Sequence, residues 1–195
     1  MHETGFLNNW VKSQLAAYAI GLGLLHPIIA HGFTGDHDVE LAVPQFVMHT
    51  VSLVVFAAII TLTRNKMLGA VTQIKLSTGL LPAIIFYPAF FWLGYYTLYV
   101  PFDILFSLLC LGVLDGLYLK PFMRLPRKWF WQSLLSAFCG ALAGIVTGIG
   151  CYFLFIKDMK GLAGDFTIWL LISIPAAFVS SLLSRRYLKG NLITG

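Results

Sequence analysis

Chemistry-bearing side chains crowd one short stretch of this chain. His26, His31, His37 and His49 lie close together, with Asp36, Asp38 and Glu40 among them. Neutral imidazole and carboxylate are ligands for Zn²⁺ and other divalent transition metals, and two axial imidazoles can hold a haem iron. His26, His49 and His31 are therefore the candidate metal ligands, with a divalent metal or haem as the candidate cofactor. The same imidazoles can instead contact a substrate, because a pKa of about 6.5 makes them pH-sensitive donors and acceptors. Simple solvation explains His31 and His37 equally well. His26 and His31 are five residues apart and so face different ways on a straight helix, and Pro27 disturbs that helix. The chain contains no HExxH, HxxxH or CxxC.

A second candidate is Asp115, the one carboxylate well inside an apolar stretch. Charged groups in such places are costly and normally face protein or water. Its bland role is an ion pair near the end of the stretch with Lys12, Lys120 or a loop arginine. Its sharper role is proton coupling or substrate binding, with Tyr118 about one turn further on the same face. Asp103 is about 18 Å away along a helix of 1.5 Å rise per residue, so the two acids do not form a catalytic pair. No Ser-His or Asp-Asp constellation stands at workable spacing, and the reading leans away from an enzyme.

The elements that must position these residues are legible in the charge pattern. The 195 residues are 58% hydrophobic and 11% charged, with a mean hydropathy of +0.83, outside the range of ordinary globular domains. Apolar stretches run over about residues 10–30, 43–63, 77–100, 101–119, 131–156 and 166–183. A hydrocarbon core roughly 30 Å thick needs about 20 such residues in a helix. The expected fold is an all-α membrane protein, a single six-transmembrane-helix bundle. The first stretch is too long for a cleavable signal peptide and no small-residue cleavage site follows it.

Of thirteen basic residues, all but Lys157 and Lys160 fall in the N-terminal segment, alternate gaps and the tail; of eight acids, all but Glu3 and Asp115 fall in the other gaps. Basic flanks stay cytoplasmic, so both termini are expected inside (N-in/C-in), with the bacterial plasma membrane as the expected location. The pI of about 9.2 reflects this loop charge and not a nucleic-acid partner. Trp10, Trp129 and Trp131 are expected as interfacial anchors at cytoplasmic ends, and Trp92 and Trp169 toward outer ends. Cys110, Cys139 and Cys151 all lie in apolar stretches and read as small buried hydrophobes.

Helix association in lipid depends on close backbone approach and interhelical hydrogen bonds. Ser136, Gly140, Gly144 and Gly148 recur every four residues and mark one face of the fifth span. Gly112 and Gly116 do so in the fourth, and Ser173, Ala177 and Ser181 in the sixth. The fifth span is expected at the bundle centre between the other two. The same glycine face is a candidate surface for a homodimer or a membrane-protein partner. Pro27, Pro82, Pro88 and Pro175 interrupt spans one, three and six; interrupted helices line substrate sites in transporters, although plain kinks are commoner. The run Phe86 to Tyr96 is unusually aromatic and could line an apolar pocket, and the loop from Lys120 to Trp131 mixes cations with aromatics in a way that suits anionic headgroups.

Three functions are compatible with these features. The first is a small permease, or the substrate-binding membrane subunit of a transporter, with an outward-facing polar site. The second is a metal- or haem-binding redox subunit built on His26 and His49. The third is a structural subunit of a larger membrane complex. The lipid bilayer is the common partner of all three.

Overall fold

Four long helical elements carry the architecture. The computed structural model describes residues 3–25, 102–156 and 161–192, with scattered helical positions between 27 and 89. Helix α1 (Glu3–Tyr18) continues as a π-helical segment, Ala19–Leu25; α2 is Phe102–Leu119; α3 is Pro126–Cys151, continued by a π-helical turn, Tyr152–Ile156; α4 is Leu162–Leu188. Among the described residues there is no strand, only an isolated antiparallel bridge between Met123 and Leu192. Most of spans two and three as expected from hydropathy, and with them His26, His31, His49 and the aromatic side chains of the third, lie outside the described residues.

Among the described residues, two helical stretches are long and apolar enough to cross a membrane, Pro126–Leu154 and Leu162–Leu188. At 1.5 Å per residue, 29 residues reach about 43 Å, enough to span the hydrocarbon with a margin at each end. Only 33% of either apolar window is buried within the chain. A core helix of a soluble protein would hide most of its surface.

The boundaries follow local chemistry. Expected from Trp10, the first helix instead begins at Glu3, because Phe6, Leu7 and Trp10 form an apolar face that packs on Leu188 and Leu192 near the C-terminus. Expected from Trp131, α3 instead begins at Pro126, a residue whose fixed φ suits the first helical turn and whose missing N–H costs nothing there. Arg185 and Arg186 occupy the last turn of α4, where cations oppose the carbonyl end of the helix dipole. Gly161 before α4 has φ 70° and Gly190 after it φ 80°, conformations that carry a steric penalty for residues with a Cβ. Pro175 lies inside α4, yet the helix is unbroken through it. It does not divide α4 into half-helices.

Close packing joins these elements in the expected order. Helix α3 lies between α2 and α4, and α1 packs along α4. Ser136, Gly140, Gly144 and Gly148 are all buried, while Leu135, Leu142, Val146 and Ile149 on the other face are exposed. A Cβ added at Gly140 would stand 2.5 Å from the Ala176 carbonyl oxygen, and one at Gly144 only 2.3 Å from that of Ile172. On the opposite flank of α3, a Cβ at Gly112 would stand 2.5 Å from Cβ of Ala137, and Ser133 Oγ donates a hydrogen bond to the Gly112 carbonyl. The glycine face is thus filled by α4 of the same chain, in the place a second copy would need. Higher in the bundle, Gly23 meets Leu170 and Ser173 of α4 as closely.

Two apolar clusters result. One joins Tyr18, Leu22, Leu108, Leu111, Ala141, Ile172 and Ala176. The other surrounds Trp10 and Trp129 with Phe6, Tyr118, Leu119, Met123 and Leu188. The second is closed below by the loop after α2, where the Arg124 amide donates to the Asn191 carbonyl at 2.9 Å. The three cysteines are free, with Cys110 buried and Cys139 and Cys151 half-buried.

Candidate functional site

The seam between the two clusters gathers the polar side chains. Helix α1 presents Trp10, Gln14 and Tyr18 at four-residue spacing, which places them on one face. All three are buried, Gln14 completely. Helix α2 brings Asp115 and Tyr118 to meet them, α3 brings Trp129, and α4 brings Ser180, Ser181 and Ser184.

Asp115 is the centre of this group. Its side chain is 4% exposed, and Oδ2 accepts a hydrogen bond from Gln14 Nε2 at 2.5 Å, linking α1 to α2. The Asp115 backbone carbonyl accepts a second bond from Trp129 Nε1 at 3.3 Å, linking α2 to α3. Trp10 Nε1 donates to Ser184 Oγ at 3.0 Å, linking α1 to α4. Each helix of the bundle is therefore tied to the seam by a side-chain hydrogen bond. Bonds to a charged group contribute about 1.5–3 kcal/mol, roughly twice the neutral kind.

The expected ion-pair partners of Asp115, Lys12 and Lys120, have exposed side chains. The neutral Gln14 amide instead sits against the carboxylate. Gln14 Oε1 is buried and has no hydrogen-bond partner among the described residues. Tyr118 is 6% exposed and belongs to the cluster beneath Asp115, as its spacing on α2 predicts. Among the described residues no group of three His, Cys, Asp or Glu could hold a metal.

The tryptophans require a correction. Trp10 and Trp129 were expected at the headgroup layer, but both are 0% exposed. Their rings meet edge to face at 6.1 Å, and Trp129 stacks on Tyr187 at the same separation. Each indole N–H has an acceptor inside the bundle, so burying the ring leaves no polar group stranded. Trp131 alone behaves as expected at this end, with 66% of its surface exposed. Trp169 is half-buried against the upper cluster.

Gln14 has no counterpart among the residues that spacing and charge bring forward. Its signal was nonetheless present, as the only side-chain amide inside the first apolar stretch, where a polar group needs a partner. Of the serines of α4, Ser173 and Ser181 stand out in the sequence as small packing residues, whereas Ser180 and Ser184 do not. Their hydroxyls bond mainly to carbonyls of their own helix, as Ser181 does to Phe178 at 2.9 Å and Ser184 to Ser180 at 2.8 Å. Removing the Ser184 hydroxyl would strand the Trp10 N–H, so Ser184→Ala should cost about 1–3 kcal/mol. Thermal unfolding in detergent, with tryptophan fluorescence as the readout, checks this; an unchanged midpoint would show that the bond carries no stability.

The fold and site define a class: a helical bundle with two helices long and apolar enough to cross a membrane and a buried acid tied to an amide. No protein family, curated protein or solved structure matches the chain.

Proposed function

We propose that this chain is a six-span membrane protein of the bacterial plasma membrane with both termini cytoplasmic. It serves as a small permease, or as the substrate-binding membrane subunit of a transporter. The observation that carries this reading is the Asp115 carboxylate, held by Gln14 in the buried seam of the bundle. An acid kept in such a place at a cost of several kcal/mol is a functional site by default. Asp115 binds a proton or a cationic group of the solute, Gln14 Oε1 supplies a neighbouring acceptor, and Tyr118 backs the site. His26 and His49 form the outward-facing polar entrance, with His31 above them.

The six-span, N-in/C-in topology rests on the alternation of basic and acidic gaps. Single cysteines placed at Asp38 and Asp158 should react with an impermeant thiol reagent added outside, and those at Arg64 and Arg127 only after the membrane is opened. Reversal at either pair would sink the topology.

Function is tested by screening cationic and neutral solutes for thermal stabilisation of the purified protein, then for uptake into vesicles. Asp115→Asn keeps the shape of the side chain and removes its charge. It should keep the fold and weaken binding of the active solute by about 10–100-fold, the equivalent of one charge-assisted hydrogen bond. Uptake should also weaken as external pH falls through about 6, as the imidazoles of His26 and His49 take up protons. Full uptake by Asp115→Asn would refute the proposed role of the acid. A Soret band or stoichiometric metal in the purified protein would favour the redox reading in its place.

A further inference from the structure

One face of α3 carries two clefts that share a wall. The first, about 370 Å³, is lined by Arg127, Lys128, Gln132 and the Tyr187 ring of α4. The second, about 470 Å³, lies between Leu109 and Val113 of α2 and Leu134 and Phe138 of α3, with no polar side chain in its lining. Trp131 and Leu135 belong to both. A ligand lying over this ridge passes from cations to hydrocarbon within about two helical turns. The cationic half opens at the basic end of the bundle, where Arg124, Arg127, Lys128, Arg186 and Lys189 are exposed while Asp115 of α2 is buried.

We propose that these two clefts are one binding site for an anionic phospholipid. The phosphate sits against Arg127 and Lys128, with Gln132 as a neutral hydrogen-bonding neighbour. An acyl chain lies along Leu109, Val113, Leu134 and Phe138. The exposed indole of Trp131 stands between them at the level of the ester groups, where an amphipathic ring is favoured. The first turn of α3 adds to the cationic field, since no side chain caps its N-terminus and its free N–H groups favour an anion. A soluble phosphate would use the first cleft and leave the second empty, whereas a phospholipid fills both. This inference rests on the membrane reading above but not on transport.

The test uses the full chain in phosphatidylcholine vesicles containing acyl-brominated phosphatidylglycerol or acyl-brominated phosphatidylcholine at equal mole fraction. The Trp131 signal is isolated by subtracting that of Trp131→Phe. The anionic lipid should quench Trp131 at a markedly lower mole fraction. Each basic residue near an anionic headgroup is worth about fivefold, so Arg127→Gln with Lys128→Gln should cut the preference by at least about tenfold. Lys12→Gln removes one charge at an exposed residue of α1, outside both clefts, and should cost far less than either Arg127→Gln or Lys128→Gln alone. Val113→Phe narrows the apolar half without adding a tryptophan and should lower quenching with the headgroup contacts intact. Equal quenching by both lipids in the parent protein overturns the site. So does a loss with Lys12→Gln as large as with either cleft substitution alone, which would indicate a diffuse field. Erasure of the preference by millimolar inorganic phosphate reduces it to an anion site and overturns the lipid assignment. No quenching by either lipid would mean that the chain is not in the bilayer, and the membrane reading would fall with this one.

Discussion

Gly144→Leu should abolish most of the folded protein recovered in detergent. The α3–α4 contact leaves no room for a side chain, since a Cβ at this position would stand 2.3 Å from the Ile172 carbonyl oxygen and 3.0 Å from Cβ of Ala176. Both obstacles are fixed parts of α4, one backbone and one on Cβ, so no rotamer change relieves them. Overpacking a close-packed contact costs about 1–3 kcal/mol and sometimes more, and leucine adds a branched side chain beyond the first clashing atom. Even Gly144→Ala should destabilise, although a helix propensity favouring alanine by about 1 kcal/mol offsets part of the clash. Separating α3 from α4 would also open the neighbouring contacts at Gly140 and Gly148, which rest on Ala176 and Ile172. The control is Leu142→Ala: Leu142 is 45% exposed on the far side of α3 and its truncation leaves the α4 contact untouched. Yield of monodisperse protein and the unfolding midpoint read the effect. Parent-like behaviour of Gly144→Leu beside a damaged Leu142→Ala would show that the wrong face of α3 had been assigned to the contact.

That contact was legible in the chain because its determinant is periodic. Four small residues at four-residue spacing in an apolar stretch define a face whatever surrounds them, and lipid gives helices little other reason to associate. Helix α2 was legible for a related reason: an apolar run bounded by Pro101 and Lys120 has clear ends, and the structure places the helix at Phe102–Leu119. The ends of α1 and α3 were less so. Hydropathy finds where a helix enters the hydrocarbon, whereas α1 begins earlier on the packing of Phe6 and Leu7 and α3 on the fixed φ of Pro126.

The polar seam was the part least open to sequence reasoning. Asp115 stood out because a carboxylate in an apolar stretch is conspicuous. Its partner Gln14 is 101 residues away, and no spacing rule links positions on different helices. Trp10 and Trp129 misled for the same reason. An aromatic at the end of a span suits either the headgroup layer or a bundle interior. What decides is whether an acceptor such as Ser184 Oγ or the Asp115 carbonyl lies within reach of the indole, which only the packed arrangement reveals.

Gln14 and Asp115 should therefore behave as one energetic unit. Gln14→Leu takes a donor from a carboxylate that is 4% exposed, so the lost bond is not replaced by water. Loss of a bond to a buried charged group costs about 1.5–3 kcal/mol. Asp115→Leu instead leaves the Gln14 amide, at 0% exposure, without the acceptor it now has, at about 1–3 kcal/mol. The Trp129 indole bond survives both changes, because its acceptor is the backbone carbonyl of residue 115. With Gln14→Leu and Asp115→Leu together, the bond is removed from both sides and apolar side chains fill the space. Replacing both members of a buried polar pair is often close to neutral, whereas removing one is not. The double variant should thus be more stable than Gln14→Leu alone, with a coupling energy on the order of 2 kcal/mol in the mutant cycle. Simple additivity of the two losses would mean that the bond contributes nothing specific. The same double variant should be inactive in solute binding despite its restored stability, separating what the acid does for the fold from what it does for function. A stable double variant that still binds solute would leave Asp115 a structural residue and shift attention to the outer histidines.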